Sequence, residues 1–161
     1  MRHTPPLPAP FETMFAEMSE LRSPGLGATF HECFGCGPHH EIGLRVRCFR
    51  SDGEVLSPII IPLRFEGPPG AAHGGIVAAY LDEVLAAAAL NHGGRTHITG
   101  ELTVRYVKPT PVERPLLGHG RAIRDAGRFL ELEGALEDLA TREVMARATG
   151  RFFPLPESTK P

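Results

Sequence analysis

The stretch Gly70-Ala71-Ala72-His73-Gly74-Gly75-Ile76-Val77-Ala78-Ala79-Tyr80-Leu81-Asp82-Glu83-Val84-Leu85-Ala86-Ala87-Ala88-Ala89-Leu90 decides how this chain is read. Ile76 to Leu90 holds fifteen residues without Gly or Pro, and its alanines have the highest helix propensity. The spacing predicts one long helix, entered from a glycine-rich loop and stopped by Asn91-His92-Gly93-Gly94, a helix C-terminus signal. Small side chains over Ala86 to Ala89 let another element approach the helix backbone closely. A curved sheet wrapped around the helix would do so.

On the C-terminal side, Thr96 to Val107, Leu116 to Arg124, Phe129 to Glu137 and Glu143 to Phe153 read as strands. A Pro-rich joint and turns at Asp125-Ala126-Gly127 and Asp138-Leu139-Ala140-Thr141 separate them. Short joints imply antiparallel neighbours, because a parallel crossover needs a dozen residues or more. The expectation is a four-strand antiparallel meander. On the N-terminal side, Leu44, Val46 and Cys48 alternate with Arg45, Arg47 and Phe49, the period of a half-buried strand. After the Ser51-Asp52-Gly53 turn, Val55 to Ile61 makes a second strand, in which Pro58 marks a bulge or a sheet edge.

Phe11, Met14, Phe15, Met18 and Leu21 recur at helical steps and end at Ser23-Pro24-Gly25, so a short amphipathic helix is expected there. Residues 1 to 9 are proline-rich and read as a loose arm. Residues 1 to 22 are therefore expected to be an arm with a short helix, and 23 to 161 the main domain. One helix on one face of an antiparallel sheet is an α+β arrangement.

Length and composition agree with one packed unit. The chain has 161 residues, 42% hydrophobic and 22% charged, enough to bury a single core. Seventeen Lys+Arg against nineteen Asp+Glu give a formal charge of -2, which argues against nucleic acid or an anionic membrane as partner. A small molecule is the better expectation. The N-terminal stretch has no apolar run long enough for a signal-peptide core, and the longest later run, Val84 to Leu90, is too short for a membrane span, so neither export nor a span is expected. Three cysteines are an odd number, which disfavours a disulfide framework and fits a reducing cytoplasm.

The chemistry concentrates where the loop enters the helix. The first turn of a helix has unpaired N–H groups and a positive dipole end, and glycine lets a ligand approach that backbone. Such a place suits an oxyanion, and the N–H of Gly74 or Gly75 is assigned that role. A preorganised donor of this kind is worth roughly 3 kcal/mol of barrier when negative charge develops on an attacked carbonyl oxygen. His73 can donate to the carbonyl or position the substrate. Asp82, nine residues on, sits among Ala78, Ala79 and Ala86 and is expected to be half-buried; it can activate a water or attack directly. Nine residues of helix span ~13 Å. His73 and Asp82 of one chain thus cannot easily meet, and a two-fold dimer that pairs the loop of one chain with the acid of the other is the expected solution.

The block Gly70-Ala71-Ala72-His73-Gly74-Gly75-Ile76-Val77-Ala78-Ala79-Tyr80-Leu81-Asp82-Glu83 resembles hotdog-fold acyl-CoA thioesterases of the phenylacetate-pathway (PaaI-like) branch. Cys33-Phe34-Gly35-Cys36-Gly37-Pro38 with Gly43-Leu44 looks like the N-terminal segment of the related thioesterase-superfamily-member proteins. Leu102-Thr103-Val104-Arg105-Tyr106-Val107-Lys108-Pro109 is similar to the strand after the helix. The similarity runs over residues 30 to 153. It implies a hotdog fold, a long central helix wrapped by a curved antiparallel sheet. It further implies acyl-CoA hydrolysis with Gly74 as oxyanion donor and Asp82 of a partner chain as base or nucleophile. A Ser or Thr on the next strand orients the water, and Thr99 matches that position. The resemblance also implies a homodimer joined at its sheet edges, often paired into a homotetramer, with CoA along the interface. Gly75, Lys108 and Arg124 are the residues expected against CoA; no cofactor is expected, since CoA is part of the substrate. Family members often place Asn or Gln shortly before the His. This chain has Phe65-Glu66-Gly67-Pro68-Pro69-Gly70 there, which leaves His73 as the side-chain donor.

Several residues carry a plainer expectation. Glu83 is taken as a solvated helix residue pointing about 100° from Asp82, and His92 and His97 as surface residues. His31-Glu32-Cys33-Phe34-Gly35-Cys36-Gly37-Pro38-His39-His40 offers zinc ligand types. They crowd into ten residues without a distant second pair, so no metal is expected, and the segment is read as a loop over the substrate channel with small thiols as filler. The competing function is a non-catalytic hotdog domain that binds acyl-CoA as sensor or scaffold. An enoyl-CoA hydratase would need a different Asp and His arrangement ahead of the helix, or a His-Phe-Pro block, and neither is present.

Overall fold

The computed structural model of the chain describes residues 6–21 and 30–156. The long helix, α2, runs from Gly74 to Gly93. It extends past the expected Ile76 to Leu90 at both ends. His73 caps its start with its own side chain, and Gly94 closes it at φ 68° with its N–H donating to Leu90 O at 2.9 Å. Val77, Leu81, Val84, Leu85, Ala88 and Ala89 are buried. By length and composition α2 could cross a membrane. Those buried residues instead make it the core helix of the sheet packed on it.

Six antiparallel strands form the sheet: β1 Phe49–Ser51, β2 Glu54–Ile60, β3 His97–Tyr106, β4 Pro115–Asp125, β5 Leu130–Asp138 and β6 Val144–Pro154. Their order is β1-β2-β4-β5-β6-β3. The α+β hotdog architecture is therefore present, but the four-strand meander is corrected. Only β4, β5 and β6 follow one another in space, while β3 pairs with β6 at the far edge. The Pro-rich joint after β3 explains the difference. Ala72 N donates to Thr110 O at 2.8 Å and Val112 N to Gly70 O at 3.3 Å, so the joint pairs with the loop before α2 and leads the chain from the sheet edge to its middle.

The sheet closes on α2 through missing side chains. A Cβ at Gly118 or Gly120 would lie 3.0 or 3.1 Å from Val84, and one at Gly134 3.0 Å from Leu85 and 2.5 Å from the His119 carbonyl oxygen. These strand glycines let β4 and β5 approach the helix closely.

Two further expectations change. Leu44 to Cys48 is not a strand: Arg45 has φ 54°, and Leu44 N and Val46 N donate to Phe34 O and Gly35 O at 2.8 Å each. A residue in the left-handed region breaks the extended run, and the cysteine loop takes the N–H groups a ladder would have used. Strand pairing begins only at Phe49. Pro58 lies within β2 opposite Leu117 of β4. On its other side β1 has already ended, so the missing N–H breaks no ladder there.

The first helix, α1, covers only Ala9–Phe15. Beyond it Arg50 N donates to Ser19 O at 2.9 Å and Leu21 N to Cys48 O at 2.8 Å; β-bridging beside β1 replaces the expected helical turns. The expected stop at Ser23-Pro24-Gly25 lies outside the described residues. Phe11 and Phe15 are buried with Phe49 and Leu117, so this segment covers the sheet face away from α2 and packs with the main domain.

Candidate active site

The loop ahead of α2 is pinned before the helix begins. His73 N donates to Phe65 O, and Ala72 N to Thr110 O, both at 2.8 Å. Gly70 N donates to Glu66 Oε1 at 2.6 Å, which gives Glu66 a local structural partner. At the turn itself Gly75 N donates to His73 Nδ1 at 3.0 Å. The accepting nitrogen carries no proton, so the ring's proton is on Nε2. His73 is exposed and can donate from Nε2 to an incoming group. The same bond occupies Gly75, which acts as the capped residue of the first turn. Gly74 N has no hydrogen-bond partner among the described residues. Tyr106 Oη donates to Gly74 O at 2.7 Å, tying the first turn to the end of β3. Tyr106 stood in the sequence only as part of a strand block.

Two turns along α2, the half-buried Asp82 accepts a hydrogen bond at Oδ1 from Thr99 Oγ1 at 2.6 Å. Thr99, which the resemblance offered as the residue that orients the water, thus meets Asp82 of its own chain. A β-bulge between Thr99 and Glu101 makes this possible. Leu102 packs toward the core, and strict alternation would place Gly100 and Ile98 on its face. The extra residue at Gly100 shifts the parity, so Thr99 lies opposite the buried Phe152 and faces α2, while Ile98 turns outward and is exposed. Gly100 suits the bulge because a Cβ there would overlap the Phe153 ring. Glycine inside a strand pattern was the available signal.

The expected cations are engaged within the chain. Lys108 Nζ pairs with Glu143. Arg124 makes two bonds to Glu131, at 2.8 and 2.9 Å, and its guanidinium lies 5.8 Å from the Phe129 centroid. His97 is corrected from the surface to a buried position, 8% exposed. Its Nδ1 meets Arg95 O at 2.9 Å, and burial lowers its pKa.

Glu83 departs furthest from expectation. It is half-buried, pointing into the cysteine loop, with Cys33 Sγ 4.0 Å from its Oε1. A Cβ at Gly35 would overlap its carboxylate, so glycine there is what lets the loop lie on this acid. Burial first, then the neighbouring Asp82 carboxylate, push Glu83 up to about 7. Cys36 is an exposed residue, but desolvation of its thiol and the Glu83 charge raise its pKa. Cys48 is buried, and desolvation pushes it up to about 12. A carboxylate fifty residues from Cys33 in sequence gave no local signal that it belonged with the loop.

A sheet wrapped on one helix, a glycine-rich capped turn and an acid held by a strand hydroxyl are the features on which comparison with known proteins turns. Residues 69–145 match the Thioesterase superfamily. That range includes the capped turn, all of α2, and Thr99. The chain is similar to the mouse (Mus musculus) protein named acyl-coenzyme A thioesterase THEM4, 26% identical over 93 residues, which is 58% of this chain and 40% of that protein. It is also similar to a solved thioesterase superfamily protein, RHA08564, at 29% identity and TM-score 0.68, covering 78% of this chain and 61% of that one. The chain thus spans less than two thirds of each of these relatives. The Streptococcus mutans protein smu.793, solved bound to acetyl CoA, shares the fold at 20% identity and TM-score 0.60, covering 66% of this chain and 85% of that one.

Proposed function

We propose that this chain hydrolyses acyl-CoA thioesters. The observation that carries the reading is the Thr99 to Asp82 hydrogen bond, because it orients one carboxylate oxygen and leaves the other without a partner among the described residues. That free oxygen takes a proton from a water that attacks the carbonyl carbon and passes it to the departing thiolate, or attacks the carbon itself to form an anhydride that a water then hydrolyses to the free acid and Asp82. The carbonyl oxygen gains negative charge as the bond forms, Gly74 N–H and His73 Nε2–H stabilise it, and the CoA thiolate leaves. The superfamily match and the similarity to a protein named as an acyl-CoA thioesterase support this chemistry; the acetyl CoA bound by a protein of the same fold supports the ligand class.

The donors and the acid belong to different chains in this proposal. Gly74 and Asp82 lie on one continuous helix, separated along its axis by about 12 Å. A two-fold homodimer brings the turn of one chain to the Asp82 of the other. Support for the dimer comes from β3, a ten-residue edge strand that among the described residues is paired on one side only and is mostly exposed, the kind of edge that proteins cover.

The experiment is free-thiol release from short, long and aromatic acyl-CoAs. Turnover by the native chain and its loss in Asp82→Ala, with the assembly unchanged, is the expected result. Mixing Asp82→Ala with His73→Ala chains should restore about a quarter of the native rate, since half the dimers are mixed and each has one intact site of two. Tight binding of acyl-CoA without turnover would instead favour the sensor or scaffold reading.

A further inference from the structure

The cysteine loop and Glu83 have no part in the hydrolysis proposed above, and together they form a donor set. Cys33 Sγ, Cys36 Sγ and a Glu83 carboxylate oxygen all lie within 4.8 Å of one another. In tetrahedral zinc coordination, bonds of about 2.3 Å to sulfur and 2.0–2.2 Å to oxygen give ligand-to-ligand edges of about 3.5–3.8 Å. The 4.0 Å between Cys33 Sγ and Glu83 Oε1 is within a small side-chain rotation of that edge.

The backbone holds the three donors where they are. Gly37 N donates to Cys33 O at 2.8 Å, closing the Cys33 to Cys36 turn. A Cβ at Gly37 would lie 2.5 Å from Cys33 N, Cys33 O and His31 O, so the turn can fold back only on glycine. Gly35 then brings the loop against Glu83, with the Gly35 and Phe34 carbonyls held by Val46 N and Leu44 N. Glu83 has no cationic partner among the described residues, and a half-buried carboxylate beside two thiols lacks a counter-charge. A thiophilic divalent cation supplies one.

We propose that Cys33, Cys36 and Glu83 bind one zinc ion. Two soft thiolates with one carboxylate suit the borderline-soft Zn²⁺ rather than Mg²⁺ or Ca²⁺. Binding releases the two thiol protons to solvent. The exposed side of Cys36 leaves the fourth position to water. The ion cross-links the loop to α2 one residue from Asp82, fixing that turn of the helix. The sparse sequence signal of a single Cys-x-x-Cys is completed by a ligand from the helix.

The test does not depend on turnover. The full chain, reduced and stripped with a chelator, is titrated with Co²⁺ and then Zn²⁺. The expected result is one Co²⁺ per chain with a thiolate-to-cobalt charge-transfer band and the intense ligand-field bands of a tetrahedral site, both abolished by Zn²⁺. Glu83→Gln and Cys33→Ser should each weaken Zn²⁺ binding at least tenfold, a difference of about 1.4 kcal/mol, while Cys48→Ala leaves it unchanged. Absence of the charge-transfer band, bands that require Cys48, or an unchanged affinity in Glu83→Gln would overturn the assignment. Should a variant fail to fold, the native chain decides: its melting temperature must rise with Zn²⁺ and not with Mg²⁺.

Discussion

Thr99 on the edge strand donates a 2.6 Å hydrogen bond to Asp82 on the central helix. A hydroxyl bonded to a carboxylate is worth roughly 1.5–3 kcal/mol. Thr99→Ala should therefore lower kcat for thioester hydrolysis by roughly ten- to a hundredfold, with KM little changed, and Thr99→Ser should retain most of the rate. Steady-state thiol release measures both. Equal rates in Thr99→Ala and the native chain would remove Thr99 from the mechanism.

Gly100 sets the parity that turns Thr99 toward α2. A Cβ there overlaps the Phe153 ring, a partly exposed side chain that can swing aside. Gly100→Ala should therefore fold but misalign Thr99, giving a fall in kcat comparable to Thr99→Ala. Kinetics paired with far-UV circular dichroism would separate this from unfolding.

Gly134 is a different case, because the obstacle to its Cβ is backbone. The His119 carbonyl oxygen would be 2.5 Å away, with Leu85 behind it, and β4 is held by its ladder to β5. Gly134→Ala should cost about 2–3 kcal/mol of stability. Urea denaturation would detect this; a loss under about half a kcal/mol would mean that the sheet and helix separate more easily than their packing implies.

Asp138 should make stability depend on pH. Its side chain is 4% exposed. Oδ1 accepts from Thr141 N at 2.9 Å and Ala140 N at 3.0 Å, and Oδ2 from Arg114 at 2.6 Å. The Thr141 N–H first, helped by Ala140 and Arg114, holds its pKa below the ordinary carboxylate value. A depressed folded-state pKa gives stability that is present above the unfolded value of about 3.9 and lost as pH falls through the folded one. Asp138→Ala should cost about 2 kcal/mol at neutral pH, and the gap between variant and native chain should narrow below about pH 4. Chemical denaturation across that range checks both the size and the direction.

How much of this was legible in the sequence follows from the range of each interaction. The long helix, its glycine stop and β4, β5 and β6 were readable to within a few residues, since propensity, capping and period-2 alternation act between near neighbours. The His73-Gly74 turn was legible as a helix start for the same reason, since such a start exposes N–H groups wherever it occurs.

Long-range pairing was decided elsewhere. Local pattern alone specifies an α+β chain with one apolar helix, a glycine-rich turn at its head and an acid two turns on. Packing in three dimensions sets the rest: β3 pairs with β6, a bulge at Gly100 brings Thr99 to Asp82, and Glu83 turns into the Cys33 and Cys36 loop. Each of those depends on the sheet closing around α2, where glycines admit close approach and a carboxylate loses water to neighbours that lie far from it along the chain.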